Sequence, residues 1–422
     1  MLHEIKVETP RAVLCGVSSS VKEKPAKELS MAELERLADT AGIEVCGHFI
    51  QNRKKPDKTH YVGKGFLAEV VGEMQELEAD IIIFDNELSP SQGRNIEKAF
   101  EVQVIDRTEV ILDIFHNHAS SREAKMQVKL AELKYQLPRL KKLWSHLDRE
   151  KGQASGSGGT SRGMGEKQIE VDKRLIRNEI AKVQAELRKV DTQKETQRKQ
   201  RQNIKKICIV GYTNAGKSTL FNQLTDADVL VQDQLFATLD STAKNLELEK
   251  GKDVILSDTV GFISDLPHHL VASFKATLKD VEDADLLLHV VDFADESFMK
   301  YIDEVQKVLE QISAHEISQL LILNKMDKAD PIKLKFMQKA NPNSIGISAK
   351  DGTNIDAMLK MADDILHKAN EVTLHIPHSE QKLMNLLFSL AKIISKEYDE
   401  DGVLVRAIIN SEDRYRFEKY IK

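Results

Sequence analysis

Hydrophobic positions change their period several times along the chain, and the changes divide it into segments. Over residues 1–118, short apolar runs of strand length alternate with stretches of helical period. Ala12–Val17, Ile43–Ile50, Asp80–Asp85 and Val102–Asp106 read as strands, and Met31–Thr40, Gly65–Leu77 and Ser91–Phe100 as helices. Ser30 and Glu33 have the spacing of a capping box ahead of the first helix. Such alternation predicts a small parallel α/β domain. Asp85, Asn86 and Asp106 fall at strand edges without assembling a catalytic set. His116 and His118 fit a helix end rather than a metal site.

From residue 119 the period becomes that of a coiled coil. Met126, Leu130, Leu133, Leu137, Leu140, Trp144 and Leu147 alternate spacings of four and three, and Ile169, Ile176, Ile180, Val183, Leu187 and Val190 resume the seam. Between them, residues 151–165 carry six glycines and cannot continue either helix. An antiparallel two-helix hairpin over 119–203 with a glycine-rich tip satisfies both patterns. Pro138 either kinks its first arm or sits where the lost hydrogen bond is tolerated.

Residues 204–370 return to apolar strand runs at Ile207–Val210, Val254–Leu256 and Leu320–Leu323. Asn245–Leu248 and Val254–Leu256 flank a Lys250-Gly251-Lys252 turn, a hairpin signature. The last segment, 371–422, reads as a βαβα module: strand Val372–Ile376, a helix through Ile394, strand Val403–Ile409 and a final helix. The expected fold is α/β. It comprises an N-terminal parallel α/β domain, an antiparallel coiled-coil hairpin, a P-loop domain and a small C-terminal α+β module.

Charge sharpens this division. Residues 119–206 hold 23 lysines and arginines against 11 acids, a surplus of 12 that leaves the rest of the chain at −18 within the overall −6. A basic rod on an acidic body points to a directed contact with a polyanion such as RNA, the alternative being a solvated coiled-coil face. Lys151 and Arg162 in the tip, with its glycines, can bring backbone close to phosphates. No apolar run approaches the length of a membrane span, and no signal peptide opens the chain. Cys15, Cys46 and Cys208 lack metal-ligand spacing and read as small core residues in a reducing cytosol.

The most specific chemistry lies after the third strand type. Gly211-Tyr212-Thr213-Asn214-Ala215-Gly216-Lys217-Ser218-Thr219 follows Ile207–Val210 and opens a helix, the context of a phosphate-binding P-loop. Its N–H groups and helix N-terminus suit a polyphosphate, Lys217 can reach the β- and γ-phosphates, and Ser218 can ligate Mg²⁺. Phe236-Ala237-Thr238 lies in a mobile-looking loop, with Thr238 favoured over Thr242 as the switch residue on Mg²⁺ and γ-phosphate. Asp258-Thr259-Val260-Gly261 ends a strand. There the Asp258 carboxylate can hold Mg²⁺ through water and the Gly261 N–H can meet the γ-phosphate. Asn324-Lys325-Met326-Asp327 follows another buried strand. Asp327 can accept from both N1–H and the exocyclic amine of guanine, a donor pair adenine lacks. Ser348-Ala349-Lys350 supplies backbone donors to the base oxygen. The catalytic set is therefore Lys217, Thr238 and Gly261, with GTP, GDP and Mg²⁺ as the bound groups. Phe262 stands where many GTPases place a water-orienting glutamine, which predicts slow intrinsic hydrolysis. Asn214 is either a polar spacer that caps a turn or a ligand for K⁺ near the β–γ bridge.

These motifs resemble the HflX family of bacterial ribosome-associated GTPases. The resemblance runs over Ser89–Lys98, Val104–Phe115, Gln127–Leu140, Trp144–Leu147 and Gln234–Asp240, and covers roughly residues 5–370. It implies a cytoplasmic monomer that binds the 50S ribosomal subunit and its ribosomal RNA near the peptidyl transferase centre. It implies neither DNA binding nor a membrane span. Such binding splits stalled or idle 70S particles and stimulates GTP hydrolysis in the family, with the hairpin tip meeting RNA. The tip departs from the family pattern at Gly158–Glu166, which is one residue shorter and has Met164 in place of a proline. The rival readings are a GTP-gated RNA-binding or ribosome-assembly factor and a coiled-coil adaptor.

Overall fold

The computed structural model describes residues 9–140, 161–199, 204–225, 235–236, 242–248, 253–259, 261–264, 275–368, 371–399, 401–409 and 411–421. Three sheets organise them. The first comprises β1 (Arg11–Ser18), β2 (Glu44–Asn52), β3 (Ile81–Phe84) and β4 (Gln103–Asp106), all parallel in the order β2-β1-β3-β4. Helices α1 (Lys24–Thr40), α2 (Lys64–Glu76) and α3 (Pro90–Phe100) make the crossovers, and α4 (Arg107–His118) leaves β4 directly. Strands this apolar need cover on both faces. Ala12, Leu14, Ile81 and Ile83 pack with α1 and α4, while Val13, Cys15, Ile82 and Phe84 pack with α2 and α3.

α1 begins six residues before Ser30, so the expected capping box does not form. Pro25 in its first turn presets the helical φ. Ser30 and Glu33 lie inside the helix, where the Ser30 hydroxyl donates to Asp85 Oδ2 at 2.7 Å. A capping box is built instead at Ser89 and Gln92, at the start of α3. Of the cysteines, Cys15 and Cys208 are buried and Cys46 is only partly so.

The hairpin arms are α5 (Arg122–Gln136) and α6 (Ser161–Lys199). Arg122 pairs with Glu186 and Lys129 with Glu179, a falling partner number that makes the arms antiparallel. Exposed pairs of this kind contribute under about 1 kcal/mol. The seam is held by Leu130, Val183 and Leu187 with Met126 and Ile180. At Pro138 the first arm gives way to a 3₁₀ turn, Leu137–Arg139. Trp144, Leu147 and residues 151–160 of the tip lie outside the described residues. Residues 161–165, expected in the tip, form the first turn of α6.

The second sheet has the order β10-β9-β8-β5-β7-β6. Its strands are β5 (Lys206–Gly211), β6 (Thr242–Glu247), β7 (Asp253–Asp258), β8 (Leu286–Asp292), β9 (Gln319–Asn324) and β10 (Ser344–Gly346). All run parallel except β6, which pairs antiparallel with β7 as the Lys250-Gly251-Lys252 turn predicts. The helices of this domain are α7 (Lys217–Thr225), α8 (Lys275–Glu282), α9 (Phe298–Gln311), α10 (Pro331–Ala340) and α11 (Ile355–Lys368).

The third sheet corrects the expected βαβα module. β11 (Glu371–Pro377), β12 (Ala391–Tyr398) and β13 (Gly402–Ile409) form an antiparallel sheet in the order β11-β13-β12, with α12 (Gln381–Leu390) between the first two. α12 stops at Leu390, because the β-branched pair Ile393-Ile394 favours extended backbone and β12 pairs along β13. After β13 come only a four-residue helix, Ser411–Arg414, and a 3₁₀ turn, and Phe417 between them closes the core. No described helix is long and apolar enough to cross a membrane.

Candidate nucleotide site

The site lies at the carboxyl ends of β5, β7 and β9, where loops from a parallel sheet converge. β5 passes into the P-loop at Gly211, whose Cβ would collide with the Val290 carbonyl oxygen on β8. Asn214 is exposed with φ 60°, and Gly216 has φ 91°. This run of left-handed positions curls the loop back toward α7, whose first residue is Lys217. The Lys217 ammonium is buried and donates to the Tyr212 carbonyl at 2.8 Å. Burial pushes its pKa down to about 8, with Asp258 opposing the shift. The Ser218 hydroxyl donates to Asp258 Oδ2 at 3.0 Å, and Thr219 follows on α7. Thr259 donates to the Ile209 carbonyl at 2.6 Å, fixing the end of β7 to β5.

Gly261 stands against the P-loop. A Cβ there would lie 2.8 Å from Thr213 Cγ2 and 2.9 Å from Lys217 Nζ. The next residue zips the two segments together: Thr213 N–H donates to the Phe262 carbonyl at 2.8 Å, and Phe262 N–H to the Gly211 carbonyl at 3.1 Å. The Phe262 ring is buried among Val210, Leu287 and Val305. It offers no polar atom to a nucleotide.

At the base end, Asn324 ties the loops together. Its Nδ2 donates to the Ala215 carbonyl at 2.8 Å, and its Oδ1 accepts from Ala349 N–H at 3.0 Å. Lys325, with φ 60°, pairs with Asp292 at 2.7 Å, and Met326 packs below with Phe293 and Leu334. Asp327 is exposed beside them. Ser348 N–H is given to the Thr353 carbonyl and Ala349 N–H to Asn324 Oδ1, so the loop expected to meet the base oxygen is braced from within. Lys350 N–H, among the described residues, has no acceptor. The donors of Ser348 and Ala349 help shape the loop, which positional matching alone cannot reveal.

Ala237, Thr238 and Val260 lie outside the described residues. Phe236, expected at the nucleotide, turns away from it. Its ring packs edge-on to Phe115 of α4 at 4.6 Å, and its carbonyl meets His118 Nδ1 at 2.8 Å. Tyr212 likewise directs its ring out of the P-loop, stacked on Tyr301 at 4.2 Å. The Tyr212 hydroxyl donates to Glu33 of α1 and meets the Ser264 hydroxyl at 2.7 Å. Glu33 also pairs with Arg107, whose guanidinium continues to Asp85 at 3.1 Å and the Ser264 carbonyl at 3.3 Å. Lys27 completes the cluster on Asp85. Burial pushes the Asp85 carboxyl up, but Arg107 and Lys27 bring it below its ordinary value. This buried bridge joins the N-terminal domain to the P-loop and to the segment after Gly261. Sequence reading missed it. The available signal was Glu33 itself, a carboxylate on the apolar side of α1 beside Leu34 and Leu37.

One further buried polar group escaped notice. His289 on β8 is 1% exposed, with no partner for Nε2 among the described residues. Burial and the Lys217 charge push its pKa down to about 4. Thr213 Oγ1 is also buried without a partner there. His116 meets Glu132 of α5 at 2.9 Å, and no group of metal-ligating side chains forms among the described residues.

Comparison with known proteins agrees along the whole chain. Residues 28–116 match the family described as GTP-binding GTPase N-terminal, 118–201 its middle region, and 206–325 the 50S ribosome-binding GTPase family. The GTPase HflX of Caldanaerobacter subterraneus subsp. tengcongensis is 41% identical over 423 residues, covering 100% of this chain and 96% of that one. That of Escherichia coli K12 is 41% identical over 377 residues, 88% and 87% of the two chains. Among solved structures, a GDP complex of SsGBP aligns over 85% of this chain and 99% of that one, at 26% identity and a TM-score of 0.47. Identity at this level over full length shows the family: the chain belongs to the HflX family of ribosome-associated GTPases and is a GTP hydrolase.

Proposed function

We propose that the P-loop site takes GTP with Mg²⁺, and that the GTP-bound form docks on the 50S subunit and separates 70S ribosomes before hydrolysis resets it. One observation carries the reading: Tyr212 of the P-loop and Ser264 beyond Gly261 share a buried polar bridge with the N-terminal domain. Two segments that border the γ-phosphate position are thereby tied to the body that would meet the ribosome. Lys217 offsets phosphate charge, Gly261 donates its N–H to the γ-phosphate, and Asp327 selects guanine. The pair Ser218–Asp258, a hydroxyl and a carboxylate 3.0 Å apart, suits a hard cation that prefers oxygen ligands. Mg²⁺ there would shield the phosphate charge, with Thr238 as a further ligand when the switch orders. A K⁺ ion beside Asn214 would add positive charge near the β–γ bridge, in a site without a catalytic glutamine.

Dividing the chain into residues 1–118, 119–203, 204–370 and 371–422 separates nucleotide chemistry from ribosome contact. The basic hairpin supplies phosphate contacts and the tip meets ribosomal RNA. The setting is the cytoplasm, where ribosomes are, and the chain acts there as a monomer. The test is GTP turnover in K⁺ and in Na⁺ buffer, with and without purified 50S subunits, alongside sedimentation of 70S particles with a non-hydrolysable GTP analogue. Stimulation with loss of the 70S peak supports ribosome splitting. Stimulation without splitting favours an assembly factor instead, and equal rates in the two salts exclude the K⁺ role.

A further inference from the structure

We propose that the Thr213 hydroxyl is a catalytic group for GTP hydrolysis, holding the attacking water against the γ-phosphate where Phe262 cannot. The inference rests on the P-loop being the phosphate site. Thr213, Lys217 and Gly261 crowd around one point: a Cβ on Gly261 would lie 2.8 Å from Thr213 Cγ2, 3.0 Å from Thr213 Cα and 2.9 Å from Lys217 Nζ. That point marks the γ-phosphate side of the loop, because Lys217 and the Gly261 N–H both serve the terminal phosphate.

Thr213 is 7% exposed, and its Oγ1 has no hydrogen-bond partner among the described residues. A buried hydroxyl left unpaired is costly, and native structures rarely keep one without a use. The backbone around it is otherwise engaged, since Thr213 N–H is given to the Phe262 carbonyl at 2.8 Å. The same pairing locks Phe262 into the apolar cluster with Val210 and Leu287. No side chain can then act from position 262, and Thr213 brings a buried hydroxyl without a partner among the described residues to the same loop.

A hydroxyl is suited to the task, for it accepts one hydrogen bond and donates another. Oγ1 accepts from the attacking water and donates to a γ-phosphate oxygen. The water oxygen forms a bond to the γ-phosphorus as the bond to the β–γ bridging oxygen breaks. The electron pair of that bond stays on GDP; one water proton remains on the new phosphate hydroxyl, the other passes to a γ-phosphate oxygen, and both leave with inorganic phosphate. Thr213 gains and loses no proton overall.

Four variants of the full chain test this: Thr213→Val, which keeps the shape, Thr213→Ser and Thr213→Ala, which differ only by the hydroxyl, and Lys217→Ala. Turnover at saturating GTP and GDP affinity are measured for each. Thr213→Val and Thr213→Ala should lower kcat roughly a hundredfold to a thousandfold, the range for loss of one donor aimed at the transition state. GDP affinity should change far less than kcat, and Thr213→Ser should keep most of the rate. Wild-type turnover in Thr213→Val overturns the proposal, as does an equal loss in Ser and Ala, which would assign the role to the methyl group. Lys217→Ala should abolish nucleotide binding. If it binds GDP as wild type does, the P-loop reading falls and this inference with it.

Discussion

Replacing Arg107 by methionine should destabilise the protein measurably and make its stability less dependent on acid. Arg107 is 3% exposed and contacts Glu33, Asp85 Oδ1 at 3.1 Å and the Ser264 carbonyl at 3.3 Å. Methionine keeps an unbranched apolar stem but removes every donor. Asp85 retains Lys27 and Ser30, and Glu33 retains the Tyr212 hydroxyl, so neither carboxylate is left bare. Removing one partner of a buried pair costs about 3–5 kcal/mol, and the surviving contacts place this case near the lower end. Against the 5–15 kcal/mol that holds a typical protein folded, roughly 3 kcal/mol is a large loss. Urea unfolding of the nucleotide-free protein at pH 7 should show it as a lower midpoint with an unchanged slope. The pH dependence has a definite sign. Asp85 sits below its ordinary value, so it contributes stability that is present above about pH 4 and lost as pH falls through the folded value. Without Arg107 that folded value rises and the contribution shrinks, so the variant falls further behind wild type above pH 4. Adding Glu33→Gln should recover part of the loss, because the two residues are coupled. A loss under about 1 kcal/mol with unchanged acid sensitivity would refute the claim that this cluster is held by charge.

Three other outcomes follow from the site. Gly216→Ala puts a Cβ into Asn324 Nδ2 at φ 91°, so Asn324 must leave the Ala215 carbonyl. GDP affinity should fall by at least about tenfold, and unchanged affinity in a fluorescent-GDP titration would show that the Asn324 bridge is dispensable. Lys217, lowered from 10.5 to about 8, is a base whose unfolded form holds its proton up to higher pH. Nucleotide-free stability should therefore rise between pH 8 and 10.5, and GDP binding in magnesium-free buffer should take up a proton above pH 8. Calorimetry in buffers of different ionisation heat checks the uptake, and none at pH 9 would count against it. His289, pushed from 6.5 down to about 4, contributes stability present above pH 6.5 and lost as pH falls toward 4. His289→Leu should flatten the melting temperature between pH 7 and 5, and an unchanged slope would mean the imidazole is not held neutral.

What the sequence revealed was what is local in it. The strand, loop and helix around Lys217 show in nine consecutive residues, and the parallel N-terminal sheet shows in alternating periods. The antiparallel hairpin shows because a heptad seam survives a glycine-rich break. Local rules failed where a distant partner outbid them. Ser30 and Glu33 have capping-box spacing, yet Ser30 bonds to Asp85, 55 residues on, and Glu33 to Arg107, 74 residues on. Ile393-Ile394 extend an apolar helical pattern, yet β13 pairs with Ile393 and with Ser395 onward and draws the segment into a strand, bulged at Ile394. The N–H groups of Ser348 and Ala349 go to Thr353 and Asn324, pairings that only the folded loop reveals.

The same failures mark where the two α/β domains meet. Tyr212, Leu235, Phe236 and Ile263 come from the nucleotide-binding domain, but they are buried in one core with Leu34, Ile111 and Phe115 of the N-terminal domain. Phe236 accepts a left-handed backbone, φ 58°, to reach that core, a strain an aromatic residue rarely bears without compensation. Closely packed cores shift between discrete arrangements and do not deform smoothly. If Gly261 or Phe236 shifts, Ile263 and Phe236 cannot follow independently of this shared core. They must either carry the N-terminal domain with them or give up their place in its core, and each choice changes the surface that domain presents.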